Sequence, residues 1–323
     1  MHYRRFGRTG WQVSEIGYGM WGMGGWTGSN DDESLSALQR SVDLGCNFFD
    51  TAFVYGNGRS EALLGQIVRA NPTRRLYTAT KVPPKNMQYP TLPEYELEDC
   101  YPTDHIEEFV EKSLENAGIE KFDLLQLHTW NDDWAHDPSW SDKLDDLKRQ
   151  GLIAACGISI NRWEPWNAVK AVESGKIDSV QVIYNIFDQN PEDQLFPACT
   201  EMDVAVIARV PFDEGTLTGT ISKESTFPSD DWRSGYFTPE NLIPSVERAD
   251  ALRPLIPEGS SMPELALRFI LANPTVSTII PGMRKIGHVE SNIRASDANP
   301  LPAHLLETLK KHRWVRKPAS WSD

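Results

Sequence analysis

Residues 47–82, NFFDTAFVYGNGRSEALLGQIVRANPTRRLYTATKV, hold a short apolar run, an amphipathic run and a second apolar run. Residues 47–50 and 76–81 read as strands, each an apolar stretch that ends on a charged side chain. Between them SEALLGQIVR opens at Ser60, a residue type that caps helix starts. Strand, helix, strand in that order is the building unit of a parallel sheet.

The same alternation continues in both directions. Further candidate strands are residues 16–20, 124–128, 154–159, 179–183, 204–209 and 276–280. Helical patterns separate most of them: a segment opened by Asp31 and Asp32 and ending at Gly45, then DHIEEFVEKSLENAG, SDKLDDLKRQG, EPWNAVKAVESG, MPELALRFILAN and LPAHLLETLKKH. Eight strands alternating with helices, without a composition break, predict an α/β fold: a single (β/α)8 TIM barrel over residues 1–323. An open doubly wound sheet would fit fewer strands and would need a second domain at this length. YRRFGRTGWQV, at the start, reads as a β-hairpin with Arg8, Thr9 and Gly10 near its turn. Residues 82–103 and 211–243 form long connections rich in Pro, Gly, Tyr or Trp, expected to be active-site loops.

Composition narrows the function. Lys and Arg number 32 against 46 Asp and Glu, a net charge of −14. Such a surface repels nucleic-acid phosphate and anionic lipid, so neither is an expected partner. No apolar run approaches the ~18 residues of a membrane span. The opening MHYRRFGRTG lacks the apolar centre of a secretory signal, and the four cysteines form no CxxC pair. A cytoplasmic protein with reduced thiols is the expectation. The seven histidines form no HxH or HExxH cluster, so no metal is expected, and a metal hydrolase built on Asp50 and His128 lacks its ligand set.

Gly17-Tyr-Gly19-Met-Trp-Gly22 matches GxGxxG by letter. A dinucleotide fingerprint needs a helix to begin at that turn, and no helix signal precedes Asp31. The stretch reads instead as a glycine loop after the first barrel strand.

Polar residues gather at the strand ends: Asp50, Lys81, His128, Ser159 with Asn161, Gln181 and Arg209, with Tyr55 five residues after Asp50. In such a barrel these positions face one common mouth. A free phenol titrates at about 10, too high for an efficient proton donor near neutrality. An ammonium at ~4 Å, with an effective dielectric of ~20, favours the phenolate by roughly 4 kcal/mol, while burial works against the anion. Tyr55 beside Lys81 is therefore expected to be more acidic than a free phenol. Asp50 would aim Lys81, and His128 would hydrogen-bond the reacting oxygen. The set suits proton delivery to a carbonyl oxygen, and since none of the four can supply a hydride, a reductase needs a nicotinamide cofactor. A lysine inside a barrel also suits a Schiff-base, aldolase-like enzyme.

At this point the residues resemble the aldo-keto reductases, from YRRFGRTGWQVSEIGYG to about Trp314. FFDTAFVYGNGRSEALLG is similar to that family's signature, with Asp50, Tyr55, Gly56, Ser60 and Glu61 in register; TATK supplies Lys81 and DLLQLH supplies His128. The resemblance implies Tyr55 as general acid, Lys81 and Asp50 as its tuning pair and His128 as carbonyl orienter. It implies Ser159, Asn161 and Gln181 as holders of the nicotinamide carboxamide. RVPFDEGTLTG resembles the loop that wraps the pyrophosphate, bringing in Arg209, Pro211, Phe212, Gly215, Leu217 and Gly219. Arg209 stands where the family usually stacks an aromatic ring. IIPGMRKIGHVESNI is similar to the segment that reads the adenosine phosphate, at Gly282, Arg284, Lys285, His288 and Asn292. Two cations beside a helix start favour NADPH over NADH. The partner implied is a small-molecule carbonyl substrate. Trp21 and Trp130, with Trp26, Trp134, Tyr89 and Trp232 nearby, are expected at the mouth, and Trp21 and Trp130 are the expected substrate contacts. The family also includes channel-associated β subunits, which bind NADP and serve as partner proteins, so a non-catalytic role is the remaining alternative.

Overall fold

A computed structural model of the chain describes residues 1–25, 28, 30–160, 164–229 and 231–316. Two strands, β1 (Tyr3–Phe6) and β2 (Trp11–Ser14), pair antiparallel as the opening hairpin. Its turn uses Gly7 and Gly10, at φ 45° and 72°. Eight more strands follow: β3 (Tyr18–Gly19), β4 (Phe48–Asp50), β5 (Tyr77–Val82), β6 (Phe122–Leu127), β7 (Ile153–Ser159), β8 (Ser179–Ile183), β9 (Ala205–Arg209) and β10 (Val276–Ile279). They form one sheet in sequential order, every neighbouring pair parallel. Parallel bridges from Ile16 to Ile279 and from Gly19 to Gly282 join the first strand to the last. The barrel is closed.

Alternation along the strands decides what faces inward. Phe48, Tyr77, Ala79, Leu124, Ala155, Ala205 and Ile207 pack with Phe6 and Val13 of the hairpin as one buried cluster at the N-terminal ends of the strands. The hairpin is the floor of the barrel. Two residues further along the same inward faces come Asp50, Lys81, Gln126 and Arg209, with Ser159 and Gln181 beside them in register. Outward-facing Phe49, Leu125, Leu127, Cys156, Ile158, Val180 and Val206 belong instead to the larger cluster beneath the helices. One period-2 pattern therefore gives an apolar floor, a polar mouth and a greasy outer wall.

The helices follow the amphipathic segments. Asp31–Asp43 begins at Asn30, whose side chain accepts from Glu33 N at 3.0 Å. Thr103–Ala117 buries Ile106, Val110, Leu114 and Ala117 and stops at Gly118, which takes φ 60°. Several elements depart from the sequence reading. The first barrel strand is shorter than residues 16–20, and the 164–175 helix shrinks to Val169–Glu173 after a turn. The connection through 211–243 is not all loop: it holds Arg233–Tyr236 and the start of Pro239–Leu252. Pro244 inside that last helix removes a backbone donor and masks the helical pattern. Gly17–Gly22 runs into a 3-10 turn, Trp21–Met23, and among the described residues the next helix begins at Asp31, so no α-helix starts at the glycine turn itself.

Candidate active site

Asp50 ends β4 and Lys81 lies near the end of β5, both turned inward. Lys81 has no exposed surface. Its Nζ donates to Asp50 Oδ1 at 2.5 Å and to the Thr51 carbonyl at 2.7 Å, and lies 3.5 Å from the Tyr55 hydroxyl. Burial is the largest single influence on Lys81 and opposes its charge, but Asp50 and Tyr55 together outweigh it and the pKa is raised. Lys81 is held as an ammonium, whereas Schiff-base chemistry needs a free amine.

Tyr55 sits on the turn between β4 and helix Arg59–Ala70. Gly56, at φ 71°, lies so close to the preceding loop that a Cβ would stand 2.3 Å from the Gly24 carbonyl. This close approach holds the backbone of the Tyr55 turn against Gly24. Burial raises the Tyr55 pKa above 10; Lys81 pulls it down, Asp50 pushes it up, and Arg209 lowers it less strongly. The expected acidification is thus corrected. Asp50 cancels much of the ammonium's field, burial wins, and the phenol keeps its proton.

His128 follows β6, its backbone N–H on the Val82 carbonyl at 3.0 Å. Its ring meets Tyr55 edge-on at 5.8 Å and Tyr89 at 5.2 Å. Burial first, then Lys81 and Arg209, hold its pKa well below 6.5, so the imidazole is neutral, and its buried Nδ1 has no hydrogen-bond partner among the described residues. Arg209 ends β9 and donates to the Ile160 carbonyl at 3.1 Å.

Gln126 is a site residue that the sequence analysis above does not include. Its Nε2 donates to Asp50 Oδ2 at 2.9 Å, as does that of Gln181. It lies two residues before His128 on one strand face, and the period-2 rule would have found it. With Lys81 on Oδ1 and two amides on Oδ2, both Asp50 oxygens are already engaged and Asp50 is not placed to bind a metal.

Ser159 and Gln181 are buried in neighbouring strands in register; Asn161 lies outside the described residues. Beyond Arg209 the backbone turns through Val210, Asp213, Glu214 and Gly215 at φ 53°, 46°, 56° and 111°. This winding carries Pro211, Phe212, Gly215, Leu217 and Gly219 around the rim. Leu217 is buried, and its N–H reaches the Phe212 carbonyl at 3.0 Å. Asp213 is buried against Arg316. Gly282 has open space where a Cβ would be, and Arg284 and Lys285 lead into helix Ile286–Asp297, with His288 in its first turn and Asn292 buried one turn on.

The model for the aldo/keto reductase family matches residues 15–313. The chain belongs to that family. An oxidoreductase of Bacillus subtilis is 29% identical, over 97% of this chain and 96% of its own length. The NADH-specific methylglyoxal reductase of Escherichia coli is 26% identical, over 91% and 93%. The holo form of an aldo-keto reductase from Bacillus halodurans superposes with a TM-score of 0.77 at 25% identity, covering all of both chains.

This aldo/keto reductase carries donors that fit an anionic nicotinamide dinucleotide. The N-terminus of Ile286–Asp297 has no side-chain cap and is flanked by Arg284 and Lys285. The orphaned His128 Nδ1 and the free carbonyl oxygen of Gln181 add polar groups that no described residue satisfies. Of the aromatics expected at the mouth, Trp21 is 41% exposed and meets Trp232 edge-on at 5.7 Å. Trp130 is different. It is fully buried against Trp134 and Trp140, with its indole N–H on Asp132 at 3.1 Å, and offers no surface to a substrate. Its place in the chain, two residues after His128 in a connection at the mouth, made it look like a mouth residue. Trp26 lies outside the described residues.

Proposed function

We propose that this reductase transfers a hydride from NADPH to an aldehyde or ketone carbonyl, with Tyr55 donating the proton. The observation that carries the reading is the Tyr55 hydroxyl 3.5 Å from an ammonium that is itself buried and paired with Asp50. The nicotinamide, when bound, supplies the hydride. Everything else falls to the side chains.

Tyr55 is protonated through the neutral range because burial raises its pKa. As charge builds on the carbonyl oxygen its proton moves across, and Lys81 stabilises the phenolate that forms. An ammonium at about 4 Å in a partly screened site contributes up to about 4 kcal/mol, less the part Asp50 cancels. His128, neutral and buried, orients the carbonyl oxygen by a hydrogen bond without adding charge.

Ser159, Gln181 and Asn161 would hold the carboxamide, and residues 211–219 would wrap the pyrophosphate beside Arg209. Arg209 takes the place of a stacking aromatic, and a planar guanidinium can fill that role. Arg284 and Lys285 favour a 2′-phosphate and hence NADPH, although the Escherichia coli relative is specific for NADH. Replacing Arg284 and Lys285 by Ala should weaken NADPH binding about tenfold or more and leave NADH binding nearly unchanged. Trp21 and Trp232 would form an apolar wall for the substrate.

The test is loss of reduced-nicotinamide absorbance with a panel of simple aldehydes and ketones, run with NADPH and NADH. Carbonyl-dependent oxidation, faster with NADPH, is expected. Tight NADPH binding without turnover of any carbonyl would overturn the reading in favour of a non-catalytic binding role.

A further inference from the structure

We infer that Gln126 is a positioning residue whose side-chain amide locks Asp50 and Gln181 into one arrangement, linking the pair that tunes Tyr55 to the amide that meets the nicotinamide. The inference rests on the function proposed above.

Gln126 is opposite Lys81 in the register of β5 and β6, faces the barrel interior and is fully buried. Its Nε2 donates to Asp50 Oδ2 at 2.9 Å, while its Oε1 accepts from Gln181 Nε2 at 3.2 Å. Gln181 Nε2 also donates to Asp50 Oδ2 at 2.9 Å. The three side chains close a small hydrogen-bonded ring.

That ring divides the work of the carboxylate. Oδ1 takes the ammonium and Oδ2 takes two neutral donors. A carboxylate held only through Oδ1 could turn about its last torsion, which is broad and soft. Fixing Oδ2 fixes the carboxylate plane, and with it the position from which Lys81 reaches Tyr55. Because the donors are neutral, one cation still faces one anion. A third ionic group at Gln126 would shift that balance in a site where screening is weak.

The ring also orients Gln181. An ionised carboxylate only accepts hydrogen bonds, so both amides must turn N–H groups towards Asp50. Both N–H groups of Gln181 are then spent inward, and its Oε1 takes no bond from any described residue. That leaves a fixed acceptor, complementary to the N–H2 of a carboxamide.

Three variants test this in the full-length protein with NADPH and an aldehyde that the wild type reduces. Gln126→Leu removes the ring; Gln126→Met does so at nearly constant volume should Leu not fold. Either is expected to lower kcat about tenfold to a hundredfold, the size of a lost hydrogen bond to a charged group, with KM for the carbonyl within about twofold. Gln126→Glu puts a second carboxyl against Asp50, and two such groups retain one proton between them. Protonated, Glu donates as the amide does; ionised, it does not. Gln126→Glu is therefore expected to be impaired at alkaline pH and to recover as pH falls, with a midpoint above the usual carboxylate range. A residue that merely fills space would show no such recovery. The side-chain amide protons of Gln181, followed by NMR, should lose protection in Gln126→Leu or Gln126→Met. That readout needs no turnover, so a failed reaction and a failed link give different results. Wild-type kcat in Gln126→Leu and Gln126→Met, a wild-type pH profile in Gln126→Glu, or unchanged Gln181 amide protons would overturn the inference.

Discussion

Lys81 keeps its charge with no exposed surface because Asp50, the Thr51 carbonyl and the Tyr55 hydroxyl surround its ammonium. Removing that charge while keeping the volume, as in Lys81→Met, leaves Asp50 buried with only neutral donors. Turnover should fall by at least about a hundredfold, the scale of assisted proton transfer, while NADPH affinity by Trp fluorescence changes little. A pure loss of affinity would contradict the role. The pH dependence follows from two opposite shifts. As the proposed acid, Tyr55 would act only while protonated, and its pKa is raised above 10, so reduction should not decline on the alkaline side until above pH 10. As the proposed orienter, His128 would act only while neutral, and its pKa lies well below 6.5, so the acid limb should also lie well below 6.5. A steady-state kcat profile that is flat between those limits is expected, and a limb near neutrality would be incompatible with both assignments. At this scale the residues with the most polar termini were readable from sequence: Asp50, Lys81 and His128 stand out as charged or polar endings on apolar strands. Gln126 did not, because it is uncharged and stands two residues before the His128 ending, where an amide looks like any polar break.

Among the elements, the rim segment after β9 is held by a contact no local pattern could reveal. Arg316 buries its guanidinium against Asp213 and also donates to the Tyr236 hydroxyl at 2.9 Å, joining residues 103 apart in the chain. Replacing Arg316 by Met leaves Asp213 buried without its counter-ion. A loss of about 3–5 kcal/mol in denaturant unfolding is expected, and Asp213→Asn in the same chain should restore part of it. Helix Arg59–Ala70 crosses helix Thr103–Ala117 at Gly65, where a Cβ would lie 1.6 Å from the Ala117 carbonyl. Gly65→Ala should therefore destabilise by about 1–3 kcal/mol or more although Ala is the better helix former. Strands and most helices were legible because their periodicity is local. The helix Pro239–Leu252 was not, since Pro244 interrupts the donor pattern, and the 164–175 segment lost its first turns despite an apolar periodicity.

For the whole molecule, the closed barrel concentrates function at one end and apolar packing at the other. The hairpin floor and the polar mouth use successive inward positions of the same strands, so the architecture was readable as soon as the alternation was seen. What the sequence could not show is the balance of burial against charge inside that mouth. This is why Tyr55, expected to be acidified, keeps a raised pKa. The same burial has a global consequence through His128. Above pH 6.5 the imidazole is neutral folded or unfolded; below it the unfolded chain takes up a proton that the native site resists. Stability should fall as pH drops from 6.5, by up to about 1.4 kcal/mol per pH unit from this group, and His128→Asn should flatten that slope in thermal or denaturant unfolding. The most direct measurement is single-turnover hydride transfer by stopped flow, comparing wild type with Tyr55→Phe at saturating NADPH and carbonyl. Tyr55→Phe should bind NADPH as wild type does yet transfer hydride slower by about a hundredfold to ten-thousandfold. Transfer at the wild-type rate would mean that the proton comes from another group.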